Sequence, residues 1–232
     1  MTTPLTERIR ALPRFELLRN DSPDGRSYAT PSGAFSSVTT ILEGSRDNSG
    51  LLAWREYVGE ARADFISSLA CHRGTKHHEA IERFLTDGTE PEFCLLNTPY
   101  WKSTRSFLSR IEQPVLMEGA VWHPHGYAGT LDCIAYLPED DLQPTLLDWK
   151  TADAKRKPDK IYEYSLQLAA YTAAANYVYA THSLHIQRAV LVVAIADAAP
   201  QIEEFDADAL AQLYKHFQAR LERFTYARTS KK

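Results

Sequence analysis

Cysteine is scarce and scattered: Cys71, Cys94 and Cys133 are an odd three among 232 residues, with no Cys-x-x-Cys pair. That excludes a disulfide framework and a thiolate zinc site, and the three are expected to be small, buried apolar residues. An all-cysteine iron–sulfur cluster needs four thiolates, so no iron–sulfur cluster is expected. No apolar run is long enough to span a bilayer, and Met1 to Arg10 show no secretory pattern, so a cytoplasmic protein without a membrane partner is expected. Positive charge is not in excess either. A formal net charge of −4 does not suit a protein that coats duplex nucleic acid by bulk electrostatics. There is no Walker motif, hence no motor of its own, and no internal repeat or low-complexity segment.

The length fits one well-packed domain. Residues 1–36 read as an N-terminal arm or cover, irregular, with Pro4, Pro13, Pro23 and Pro31 and a turn at Asp24-Gly25 between short extended pieces. Residues 37–232 read as a single domain, mainly helical over 37–113, with sheet and helices over 114–232. Apolar spacing predicts two helices between Ser37 and Leu69, broken at Gly44–Gly50. Gly74-Thr75 interrupts, with Thr75 capping a further helix that ends at Asp87-Gly88. Another helix covers Tyr100–Ile111. Val115–Val121, Tyr127–Leu137 and Thr145–Lys150 read as a meander of strands, the last two separated by the turn Pro138-Glu139-Asp140-Asp141. Asp159 caps a long helix to Tyr179, Ala189–Ile195 is an apolar central strand, and Leu210, Leu213, Phe217, Leu221 and Phe224 line a final amphipathic helix. The order implies an α/β sandwich with a mixed sheet.

The chemistry concentrates at Asp148-Trp149-Lys150. Strand side chains alternate, so Asp148 and Lys150 share one face and Leu147 and Trp149 the other. Hairpin pairing of the preceding strand brings Asp132 beside Asp148, and Glu118 lies on the strand before that. A lone Asp-x-Lys is more often a structural ion pair. Close carboxylates on rigid strands, however, are what a hard divalent cation needs, and an adjacent lysine can orient an attacking water, lower its pKa or neutralise charge developing on phosphorus. On helices, His78 with Glu82 and Gln167 with Tyr171 are four apart and share faces that can converge on one cleft. Lys150, Lys155, Arg156, Lys157 and Lys160 form a basic stretch that reads equally as a solvated loop or a phosphate-contact surface. Trp54, Tyr57, Tyr100 and Trp101 offer stacking surfaces for unpaired bases, with core packing the favoured reading for most of them.

Four segments in order, Gly74-Thr75-Lys76-His77-His78-Glu79-Ala80-Ile81-Glu82, Gly129-Thr130-Leu131-Asp132, Leu147-Asp148-Trp149-Lys150-Thr151 and Gln167-Leu168-Ala169-Ala170-Tyr171, resemble the successive motifs of RecB-type nucleases. The runs Ser37–Leu42, Gly126–Cys133, Asp148–Thr151 and Val190–Ala194 are most similar to the mitochondrial genome maintenance exonucleases and their bacterial and phage relatives, over about residues 37 to 225. The resemblance implies a PD-(D/E)XK, restriction-endonuclease-like core with a central mixed sheet flanked by helices and an N-terminal helical elaboration. It implies a Mg2+- or Mn2+-dependent exonuclease that hydrolyses single-stranded DNA from a free end in repair, replication or recombination. Catalysis would fall to Glu118, Asp132, Asp148 and Lys150. The metal would be held by Glu118, Asp132, Asp148, His78 and the Trp149 carbonyl, and substrate by His78, Gln167 and Tyr171. The spacing to Glu82 favours His78 over the adjoining His77. Competing expectations are a structure-specific endonuclease, a nuclease subunit with a helicase, polymerase or recombination partner, and a non-catalytic nucleic-acid-binding module.

Overall fold

The computed structural model describes residues 11–138 and 143–230. The turn expected at Pro138–Asp141 and the segment Met1–Arg10 lie largely or wholly outside the described residues. One eight-stranded sheet holds β1 (Leu18–Ser22), β2 (Gly25–Thr30), β3 (Gly33–Ser37), β4 (Gln113–His123), β5 (Tyr127–Tyr136), β6 (Thr145–Ala152), β7 (Arg188–Ile195) and β8 (Gln201–Phe205). Its order is β1-β2-β3-β5-β6-β7-β8, with β4 also paired to β5. β3–β5 and β6–β7 are parallel and the other pairs antiparallel, so the sheet is mixed, as expected.

Helices cover both faces. On one side α1 (Val38–Ser45), α5 (Pro158–Val178) and α6 (Ala207–Thr229) pack Ile41, Leu166, Ala170, Leu210 and Phe217 against Leu131, Leu146, Leu191 and Val193. On the other, α3 (Glu60–Asp87) and α4 (Thr98–Leu108) pack Ile81, Trp101 and Phe107 against Cys133, Leu147, Trp149, Val190 and Val192. This is why Ala189–Ile195 reads as one apolar run: β7 is buried from Ala189 to Ile195, with alternate side chains feeding the two cores. Ser37 caps α1 through its hydroxyl, which accepts from the Thr40 amide at 3.0 Å. Asp206 caps α6 in the same way, accepting from Ala209 at 2.8 Å.

Five expectations need correction. Residues 18–37 are not irregular but form β1–β3, with the Asp24-Gly25 turn joining the first two strands. Gly74-Thr75 does not start a helix. α3 runs unbroken from Glu60 through both residues, because a mid-helix glycine costs only about 1 kcal/mol and the turns at His77, Ala80 and Ile81 are anchored in the core. The break expected within Gly44–Gly50 is present between α1 and α2 (Ser49–Val58), but a second one follows at Gly59, whose φ of 84° separates α2 from α3. Asp159 lies in the first turn of α5 while Lys157 is the cap residue and Pro158 opens the helix, so its carboxylate serves the helix dipole rather than a capping bond. Of the cysteines only Cys133 is buried; Cys94 is half-buried and Cys71 exposed.

Candidate active site

The site lies where β5 changes partners. Its start pairs with β3 at Tyr127 and Ala128, and its end pairs with β6 from Cys133 to Ala135. Between these ladders, Gly129 to Asp132 have only β4 beside them, and the freed edge is filled by side chains. Asp132 Oδ2 accepts the Trp149 backbone amide at 2.8 Å, bridging to β6 where the ladder has stopped. Gly129 is required by close approach: a Cβ there would lie 2.6 Å from Cε1 of Tyr171. Tyr171 thus sits on α5 under the start of this gap, buried, and its hydroxyl pKa is driven up first by that burial.

Glu118 arrives from β4 between the Met117–Cys133 and Gly119–Leu131 pairs, opposite Asp132. Its φ of 46° is in the left-handed region, an uncommon and strained conformation for a residue with a side chain. From α3, His78 Nε2 donates to the Trp149 carbonyl at 3.0 Å, which fixes the ring. Nδ1 then faces Asp132 Oδ1 at 3.5 Å and Glu118 Oε1 at 3.6 Å. One ligand atom from each of His78, Glu118 and Asp132 lies within 4.8 Å of the other two. Burial opposes a charge on His78, but Asp132 and Glu118 outweigh it and hold the imidazole up at about 9. A positive charge is therefore favoured at this point, and the donor set of one imidazole nitrogen and carboxylate oxygens suits a divalent cation such as Mn2+ or Mg2+.

Asp148 and Lys150 point together, as alternation requires. They form an ion pair, with Asp148 almost wholly buried and Lys150 about one-fifth exposed. Burial pushes the Asp148 carboxyl up, and nearby Asp132 adds to this while Lys150 opposes it. For Lys150, burial works against the ammonium but Asp148 and Asp132 prevail, so its pKa lies above the ordinary value. The ion pair and the neighbouring carboxylates favour the ammonium form. Gln167 donates to Asp148 Oδ1 at 3.3 Å, and Lys150 Nζ sits 5.6 Å from the centre of the Tyr164 ring. Tyr164 escaped the sequence reading, although it lies three residues before Gln167 and seven before Tyr171 on one helical face.

The structure thus brings His78, Glu118, Asp132, Asp148, Trp149, Lys150, Gln167 and Tyr171 into one neighbourhood. It groups Asp132 with Glu118 and His78, whereas Asp148 is turned to Lys150 and Gln167. His77 points elsewhere: it is fully buried, with Nδ1 2.9 Å from Asn97 Oδ1, and burial lowers its pKa to about 4. Glu82 pairs with Arg14 at 3.2 Å across a cleft of about 740 Å³ that His78 and Glu118 also line. A network that no sequence spacing signals borders Lys150: Arg73 bonds Thr151 (3.2 Å), Tyr100 (2.9 Å) and Asp153 (2.7 Å), tying α3 and α4 to the end of β6. Tyr100 and Trp101 are core residues, whereas Tyr57 is exposed.

No protein-family model and no curated protein sequence matches this chain. Among solved structures it is similar to a candidate exonuclease from Eubacterium rectale, at 12% identity and a TM-score of 0.47 over 70% of this chain and 68% of that one. It is also similar to the protein SSO0001, at 15% identity and a TM-score of 0.37 over 78% and 73%. At such values the likenesses carry no statement about activity, and the functional reading rests on the site itself.

Proposed function

We propose that this chain is a metal-dependent exonuclease of the PD-(D/E)XK class that hydrolyses phosphodiester bonds of single-stranded DNA from a free end. The observation that carries the reading is the Asp148–Lys150 pair, on the strand beside a His78–Glu118–Asp132 trio whose ligand atoms lie within 4.8 Å of one another. Two or three acids with a lysine held as ammonium suit a reaction in which negative charge builds on phosphorus.

His78, Glu118 and Asp132 would hold the cation, with Asp148 and the Trp149 carbonyl close by. A bound Mg2+ or Mn2+ supplies the electrostatic neutralisation of the phosphate and the acidification of the attacking water. Lys150 holds its proton and donates toward the phosphate or the water. Asp148 fixes Lys150, and Gln167 fixes Asp148. Tyr171 shapes the floor through its contact with Gly129. The free-end and single-strand parts of the reading draw on the motif resemblance, and a role in repair, replication or recombination follows from that substrate.

The test is incubation with end-labelled linear single-stranded, linear duplex and circular single-stranded DNA, in magnesium, manganese or chelator. Loss of linear single strands only, abolished by chelator and by Lys150→Ala, supports the reading. Cutting of circles makes the protein an endonuclease, and no cutting of any DNA makes it a binding module or one subunit of a larger nuclease.

A further inference from the structure

The β1–β2 ribbon forms one wall of the cleft that His78 and Glu118 also line, and Arg19, Arg26 and Tyr28 are on that wall. Its register explains how. Arg19 and Asp21 are two apart on β1, and on β2 they face Tyr28 and Arg26 respectively, so all four share one side of the ribbon. Asp21 is bridged by both arginines, Arg19 Nε at 2.6 Å and Arg26 Nε at 3.0 Å. Two guanidiniums thus share one carboxylate, leaving one net positive charge, and both bonds run through Nε, so Asp21 does not take up the Nη groups. Tyr28 anchors the wall to the site's own strand, its hydroxyl 3.4 Å from Thr130 Oγ1.

The remainder of the cleft is acidic, with Glu16, Glu79, Glu82 and Glu118. Of the cations among its described lining residues, Arg14 is paired with Glu82, so Arg19 and Arg26 are the two not neutralised one for one. Both side chains remain solvent-accessible.

We infer that Arg19 and Arg26 form a phosphate-binding fork that grips the backbone of the single-stranded DNA substrate as it approaches the acidic centre. This rests on the nuclease reading above and adds to it the surface that holds the strand. Guanidinium planes match phosphate oxygens in bidentate geometry, and the β1–β2 register sets two of them on one face of the ribbon with their Nη groups free of Asp21.

The test is fluorescence anisotropy of a fluorescein-labelled oligothymidylate, in magnesium, in a Lys150→Ala background that prevents turnover. Arg19→Ala with Arg26→Ala should weaken binding about tenfold or more and reduce the slope of log K against log salt by about 1.4, some 0.7 for each phosphate contact on a single strand. Lys215→Ala with Arg223→Ala, exposed on α6, removes the same charge elsewhere and should leave the slope unchanged. Asp21→Asn removes the competing carboxylate and should tighten binding, a gain that misfolding does not mimic. An unchanged slope in the double arginine variant, or weaker binding by Asp21→Asn, overturns the fork while cleavage by the wild type leaves the nuclease reading intact. Absence of binding and cleavage by the wild type overturns both.

Discussion

Glu118 shows what a single residue contributes here and what it costs. Its φ of 46° places a side-chain-bearing residue in a region that glycine occupies freely, and the return is a carboxylate aimed at His78 beside Asp132. Glu118→Gly and Glu118→Ala both remove the carboxylate and should both abolish turnover. Their stabilities should differ in the direction opposite to ordinary strand preference, with the glycine variant more stable than the alanine variant by about 1 kcal/mol in urea unfolding. If alanine is equally stable or better, the backbone at 118 is not strained. This conformation was not legible in the sequence, because no side-chain pattern encodes it. The Asp148 and Lys150 arrangement was legible, because strand alternation alone puts residues two apart on one face. His78 against His77 was only half legible: adjacent helical residues differ by 100° in direction, and which one faces the sheet gap depends on how α3 rests on β4 and β6.

Elements are held in place by a few polar ties that sequence spacing does not announce. Arg220 of α6 is nearly buried and reaches two other helices: its guanidinium bonds Glu163 on α5 at 2.8 Å, and on α1 Ser45 Oγ at 2.7 Å and the Leu42 carbonyl at 2.6 Å. Arg220→Ala leaves Glu163 and the end of α1 without their partner and should cost about 3–5 kcal/mol. Arg220→Lys should recover less than half of that, because one ammonium cannot span the three acceptors. Full recovery by lysine would show that charge rather than geometry matters. A second tie lies at the β4–β5 hairpin. His123 stacks on Tyr127, with ring centroids 5.3 Å apart and planes 11° apart, and burial followed by the neighbouring His125 lowers its pKa to about 4.

The unfolded chain takes up a proton at His123 near pH 6.5, whereas the folded chain resists until about 4. Stability from this group is therefore whole above pH 6.5 and is lost as pH falls from there towards 4. His123→Phe keeps the stacking and removes the titration, so its stability should decline less between pH 6.5 and 4.5 than the wild type's; parallel declines would rule His123 out. Elements with a strong local signal, such as the amphipathic stripe of α6 and the unbroken apolar run of β7, were legible in the sequence. β1 and β2 were legible only as short extended pieces about the Asp24-Gly25 turn, and their place in the sheet was not, because the ribbon joins it through Ser36 and Ser37 pairing with β5, some ninety positions away. The short edge strand β8, with Glu203 and Glu204, has no apolar run to reveal it.

At the scale of the whole molecule, the gap in the β5 ladder and the covering of β4 belong to one design. β4 pairs with β5 on one side only, and its outer edge would be an open template for another chain. The segment before β1 closes that edge. Leu12 N donates to the Val115 carbonyl at 2.9 Å and Ala120 N to that of Phe15 at 3.3 Å, with Glu118 between these two points. Phe15 packs edge-on to Trp122 at 5.6 Å and lies 5.5 Å from Tyr179, whose hydroxyl bonds the Pro13 carbonyl at 2.9 Å.

The same segment carries Arg14 to Glu82, so the strip that seals the sheet also borders the cleft. Leu12→Ala with Phe15→Ala should therefore act twice. Removing two packed side chains should lower stability by about 4 kcal/mol, and the exposed β4 edge should produce concentration-dependent light scattering below the unfolding midpoint. Loss of stability without association would mean that the edge remains covered by the backbone bonds alone. A variant within about 1 kcal/mol of the wild type would mean that β4 is held from the β5 side, and that the segment bordering the cleft is free to move without loosening the sheet beneath Glu118.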